Sequence, residues 1–115
     1  MKIVINDCYG GFGLSETAMR RYCELMGLEL VVETDPDYTE FQNFYVGSKH
    51  PDNLINEREF GRADPMLVQV VEELGEQCNT RTSELKIVEI PDDVEWEVAE
   101  YDGIEWVAEK HRTWR

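Results

Sequence analysis

Val94-Glu95-Trp96-Glu97-Val98-Ala99-Glu100-Tyr101-Asp102-Gly103-Ile104-Glu105-Trp106-Val107-Ala108 decides whether the C-terminal part of the chain is sheet or helix. Val94, Trp96 and Val98 alternate with Glu95, Glu97 and Ala99, the period of a strand with one half-buried face. Asp102-Gly103 then supplies two residues that tolerate positive φ, as a type I′ turn requires, and Ile104, Trp106 and Ala108 fall on a returning strand. A two-residue turn also sets Glu100 opposite Glu105, a like-charge pair that opposes the pairing. The rival is a final helix, because Asp102-x-x-Glu105 fits a capping box and Ile104, Val107, Ala108 and His111 fall at helical spacing. The hairpin is the preferred reading.

Working outward, Leu85-Lys86-Ile87-Val88-Glu89-Ile90 is a strand stopped by Pro91-Asp92-Asp93. Before it, Asp64-Pro65 is an N-cap followed by proline at the first helical position. Leu67, Val70, Val71, Leu74 and Cys78 trace one apolar face of a helix ending near Gln77. Gly75 weakens its last turn by up to ~1 kcal/mol relative to alanine. Phe41, Phe44, Tyr45 and Val46 suggest a short strand before Gly47, and Ser48 to Asn53 is polar loop. At the start, Lys2 to Asn6 is a β-branched apolar strand that runs into Tyr9-Gly10-Gly11-Phe12-Gly13-Leu14-Ser15. Ser15 caps a helix from Glu16 to about Met26, Leu14 is placed to staple onto Met19, and Gly27 sits where a left-handed C-terminal residue belongs. Leu28 to Glu33 is a second strand, closed by Thr34-Asp35-Pro36-Asp37.

The expected order is therefore β-α-β-(β)-α-β-β-β. The class is α+β, with one mixed, mostly antiparallel sheet and two helices; the first βαβ unit offers a parallel pair and the C-terminal meander is antiparallel. At 115 residues this is a single domain, 1–115.

Charge narrows the partners. With 25 acids against 11 bases the formal charge is −14, which repels nucleic-acid phosphates and anionic membrane surfaces, so general nucleic-acid binding and membrane binding are not expected. Cys8, Cys23 and Cys78 are odd in number and widely spaced, and they read as reduced thiols in a cytoplasmic protein. No window reaches the ~20 apolar residues of a membrane span, and the first residues carry no apolar leader.

Three constellations offer chemistry. A strand, a glycine-rich turn and a helix N-terminus together suit a phosphate, although the loop matches neither the Gly-x-Gly-x-x-Gly nor the P-loop pattern. The plain alternative is a tight turn with Phe12 tucked into the core. Glu33 stands where a dinucleotide fold keeps its ribose-binding acid, but one βαβ unit is too little for that fold. Lys49, His50, Arg58 and Arg62 form a basic stretch just before the Asp64-capped helix, a place for an anion or, equally, for pairing with surplus carboxylates. The tail Glu109-Lys110-His111-Arg112-Thr113-Trp114-Arg115 offers flat cationic and indole faces to a base, or docks onto another subunit, or frays. Metal-ligand spacing is absent, no cofactor is implied, and catalysis has only Cys8, beside Asp7, to commend it; such a thiol is more often buried packing.

The opening Lys2-Ile3-Val4-Ile5 with Tyr9 to Ser15, the centre Arg62-Ala63-Asp64-Pro65 with Val70 to Gly75, and the close Ile90 to Trp96 with Tyr101-Asp102-Gly103 and Glu109 to Trp114 resemble, over nearly the whole chain, a family of small phage and prophage proteins. That family is in turn similar to the Thoeris anti-defence sponge proteins, which sequester a cyclic ADP-ribose signal of bacterial immunity. The resemblance implies a symmetric homo-oligomer without catalysis, holding a small phosphorylated nucleotide through arginines and aromatics at subunit interfaces. On chemical grounds the ligand residues are then Tyr9, Gly10, Gly11, Phe12, Arg58, Arg62 and Arg112. The expected function is a phage immune-evasion protein in the host cytoplasm that binds the signal without cleaving it. The alternative is an acidic interaction protein that binds and inhibits a host protein, as a mimic of nucleic acid.

Overall fold

A computed structural model describes residues 1–38 and 42–110. The elements run β1 (Lys2–Asn6), α1 (Glu16–Met26), β2 (Leu30–Thr34), β3 (Gln42–Val46), α2 (Pro65–Leu74), β4 (Leu85–Glu89), β5 (Trp96–Tyr101) and β6 (Ile104–Glu109). Short 3-10 turns lie at Pro51–Asn53, Glu57–Glu59 and Gly75–Cys78. The class is α+β and the element order follows the one read from the sequence. Phe41 and the tail from His111 to Arg115 fall outside the described residues, and with them those two readings.

The helix boundaries are set locally. Ser15 Oγ accepts the Ala18 amide at 3.2 Å, Leu14 and Met19 both join the core, and Gly27 ends α1 in the left-handed region at φ 71°. Asp64 caps α2 by accepting the Met66 amide at 2.9 Å, with Pro65 at the first helical position. The expected extension of α2 to Gln77 is corrected. Gly75 takes φ 56°, which breaks the α ladder at Leu74, and the chain continues as a 3-10 turn that buries Cys78.

The single mixed sheet is also corrected. The strands pair two by two, all antiparallel: β1 with β4, β2 with β3, and β5 with β6. No parallel pair joins β1 to β2 among the described residues, which removes the dinucleotide-fold reading; Glu33 instead pairs with Lys49 from the loop after β3. The cause is visible on β1. Its outer amides are already taken, Val4 by the Arg62 carbonyl at 2.8 Å and Asn6 by the Glu105 carboxylate at 2.8 Å, so no further strand can add along that edge.

The core lies where α1, α2, Val4 of β1 and Phe44 of β3 meet. Tyr22 of α1 stacks on Phe60 at 4.5 Å between ring centroids and donates to Asp64 Oδ2 at 2.8 Å. Burial, with that carboxylate beside it, pushes the Tyr22 phenol up to about 12. Ile3 and Ile5 are buried on the opposite face of β1. No helix is long and apolar enough to cross a membrane among the described residues.

The C-terminal segment is the hairpin rather than the rival helix. Asp102 and Gly103 take φ 49° and 89°, as a primed turn demands, and Glu100 stands opposite Glu105. None of the β5 or β6 side chains belongs to the core cluster.

Candidate functional site

The glycine loop is pinned from three directions. Asn6, wholly buried at the end of β1, donates through Nδ2 to the Cys8 carbonyl at 2.7 Å and the Gly103 carbonyl at 2.8 Å, and accepts the Glu84 amide through Oδ1 at 2.8 Å. One side chain thus ties the loop, the hairpin tip and the approach to β4 together. Gly10 and Gly11 take φ 124° and 103°, and the Gly10 amide donates to the Asp102 carbonyl at 3.0 Å. A Cβ on Gly103 would stand 2.2 Å from the Gly11 nitrogen, and one on Gly10 would stand 2.6 Å from the Thr82 carbonyl oxygen. Turn geometry and backbone packing therefore account for these two glycines.

Phe12 is in the core at 3% exposure, and the Arg62 guanidinium lies over its ring at 3.7 Å. Arg62 is thus brought beside the glycine loop. Its charge is already answered, however: Nη1 and Nη2 meet Glu105 Oε1 and Oε2 at 2.5 and 3.0 Å in a bidentate pair whose side chains are only 13% and 8% exposed. Among the described residues Arg62 Nε, itself buried, has no acceptor. A phosphate reaching Arg62 would have to displace a carboxylate held on both nitrogens. The pair also resolves the conflict in the hairpin, since Glu105 turns inward to a cation while Glu100 accepts the Gly103 amide at 2.9 Å.

Two hollows flank Phe12. One, about 600 Å³, gathers Tyr9, Gly10, Gly11, Phe12 and Arg62 against Glu100, Asp102 and Glu105. Five of the nominated residues meet there, but the facing wall is acidic. The other, about 580 Å³, runs along Gly11 to Glu16 and is closed by Gln42 and Phe44 of β3, by Glu57 and by the Thr80-Arg81-Thr82 loop. That loop is fastened to the glycine loop by Ser83, whose hydroxyl donates to the Gly13 carbonyl at 2.9 Å. Among the described residues the amides of Gly11, Phe12, Gly13 and Leu14 donate to no protein acceptor. Successive open amides at a glycine turn are the usual makings of an anion cradle. At the rim Glu16 is held ionised by its hydrogen bonds to Arg20 and Gln42.

The other nominated groups disperse. Lys49 pairs with Glu33, and His50 Nδ1 accepts the Asp52 amide at 3.1 Å, so the basic stretch is not one cluster. The Arg58 side chain and all of Arg112 lie outside the described residues. Cys8 is half-buried with its thiol donating to the Tyr9 carbonyl at 3.3 Å, while burial pushes the Cys78 thiol up to about 11. Sequence reasoning missed Glu105 and the Thr80–Thr82 loop. The Glu100–Glu105 clash was the one signal that a carboxylate there needs a cation from elsewhere. No family model, curated protein or solved structure matches the chain.

Proposed function

We propose that this chain is a binding protein that takes a small phosphorylated nucleotide into the groove between the glycine loop and the Thr80–Thr82 loop and releases it unchanged. The observation that carries the reading is that Phe12, Gly13 and Leu14, whose amides donate to no protein acceptor among the described residues, line a groove of about 580 Å³, within the size range of small-molecule sites. In it, phosphate oxygens meet those amides. Gln42, Glu16 and Glu57 at the rim are suited to sugar hydroxyls, and Leu14 and Phe44 supply apolar wall. With the resemblance to phage proteins, the ligand class is a cyclic ADP-ribose type signal, sequestered in the host cytoplasm by a homo-oligomer as a means of immune evasion.

Thermal melting with cyclic ADP-ribose isomers tests this. At about a hundredfold excess over Kd, a ligand of the native state adds about 2.7 kcal/mol and several degrees to Tm. The recovered ligand should be chemically intact by chromatography. Gly13→Ala should abolish the shift while leaving Tm of the free protein nearly unchanged, because its Cβ makes only ordinary contacts, 3.6 Å to Thr80 and 3.8 Å to Glu57, on the groove side. No shift with any nucleotide would overturn the reading.

A further inference from the structure

The β5–β6 hairpin is an arm with one face turned away from the body. Opposed residues share a face of a ladder, and the register sets Trp106 against Ala99, Tyr101 against Ile104, and Glu97 against Ala108. The other face carries Glu105, which reaches inward to Arg62 and Asn6. The outward face is thus apolar except for Glu97, with Tyr101 at 66% and Trp106 at 47% exposure. Two strands alone are marginal as a sheet, and among the described residues no third strand is hydrogen-bonded to this pair. An exposed aromatic strand face with open edges is the form that accepts an added strand or a covering partner.

Charge selects the occupant. Between Glu89 and Glu109 the chain carries nine Asp and Glu and no Lys or Arg. Among the described residues Glu105 is neutralised by the buried Arg62 and Asp92 by the exposed N-terminal ammonium. A second copy of the same arm would face its own charge, so self-pairing is opposed. We infer that the outward face of the β5–β6 hairpin docks a basic protein, which covers Trp106 and Tyr101 with apolar side chains while its lysines and arginines meet the acids around them. This surface is separate from the nucleotide groove and does not depend on it.

The test uses the full chain and two synthetic decapeptides, one alternating lysine with valine and one carrying the same five charges on a lysine and glycine background. Binding is followed by tryptophan fluorescence and hydrogen exchange. The valine peptide should bind at least tenfold tighter than the glycine peptide, weaken with salt, and protect amides of β5 and β6. Trp106→Ala and Tyr101→Ala, both outward and exposed, should erase that tenfold preference, and Glu97→Lys should weaken binding of the valine peptide further. Glu76→Lys, an equal charge change at an exposed site off the arm, should leave it within about twofold. Equal binding of the two peptides, or a preference that survives Trp106→Ala, would overturn the inference. So would a dimer seen by light scattering that Trp106→Ala converts to monomer, since the face would then belong to a second copy.

Discussion

Around α1, α2 and β1 the chain closes on fully buried apolar side chains, Met19, Leu67 and Val70 among them, whereas β5 and β6 give nothing to that cluster and lie against β1 with a buried ion pair at the join. The body resists change because removing any one large side chain leaves a cavity, typically costing 2–5 kcal/mol. The arm lays β6 along β1, where Ile3 and Ile5 are buried, and its tip is pinned by polar and backbone contacts: the Arg62–Glu105 pair, the Asn6 side-chain amide and the close approach of Gly103 to Gly11. Apolar burial is tolerant and spread out. A latch of buried charge is strong only while both partners are present, because desolvation makes the survivor of a broken pair costly.

The largest expected effect follows from that asymmetry. Glu105→Ala leaves the Arg62 guanidinium buried without its carboxylate and orphans the Asn6 amide, and should cost about 3–5 kcal/mol in urea unfolding. Hydrogen exchange should rise first in β5 and β6, with α1 and α2 amides protected. The double variant Arg62→Met, Glu105→Leu should recover the part of that loss due to the unpaired guanidinium, since an apolar pair of similar volume carries no desolvation cost, while the Asn6 amide stays without its acceptor. A loss under about 1 kcal/mol for Glu105→Ala would mean that the arm is held by something other than this latch.

Next in size is Gly103→Ala, at about 2–3 kcal/mol, combining a strained left-handed residue with a backbone collision at 2.2 Å that no side-chain rotation relieves. Gly27→Ala is the matched comparison in the body. Gly27 has φ 71° but nothing within 4 Å of an added Cβ, so only the conformational strain of about 1–2 kcal/mol remains. Equal losses at the two sites would show that the arm does not press on the glycine loop.

The same contrast explains what the sequence made legible. In the body the helix starts and the end of α1 have local markers: Ser15 and Asp64 as caps, Gly27 as a stop, and the apolar period of α1 and α2; the end of α2 is the exception, because the apolar period runs past Gly75 to Cys78. The hairpin turn was equally local, because Asp102-Gly103 determines it within two residues. Outside the β5–β6 hairpin, strand partnership was not legible. The ends of β1 decide it by accepting Arg62 and Glu105 as edge partners, and those residues lie 43 positions apart with no shared pattern. For the same reason the sequence leaves Arg62 open between an anion site and a carboxylate partner, and only the fold names Glu105 as that partner. The groove was half legible: its glycine wall stood out, while the Thr80–Thr82 wall carries no motif and enters through a hydroxyl of Ser83.

The smallest expected effect belongs to a polar contact in the body that lacks the burial of the latch. Arg21 of α1 reaches Glu73 of α2 through Nε at 2.7 Å and Nη2 at 3.1 Å, and its hydrogen bonds, aided by Gln69, hold the Glu73 carboxyl at about 2 instead of its ordinary 4.5. A carboxyl lowered on folding contributes stability that is complete above the unfolded value and is lost as pH falls from about 4.5 toward 2. Tm should therefore decline across that window, and Arg21→Ala should flatten the Glu73 part of the decline by lowering Tm slightly at pH 7, where the contribution is complete, so that variant and parent converge near pH 2. The side chains are 30% and 37% exposed, so water and salt screen the pair, and 0.5 M NaCl should shrink the difference between variant and parent. If salt instead leaves that difference intact, the pair behaves as Arg62–Glu105 does, and the distinction between a latched arm and an apolar body must be redrawn at the α1–α2 contact.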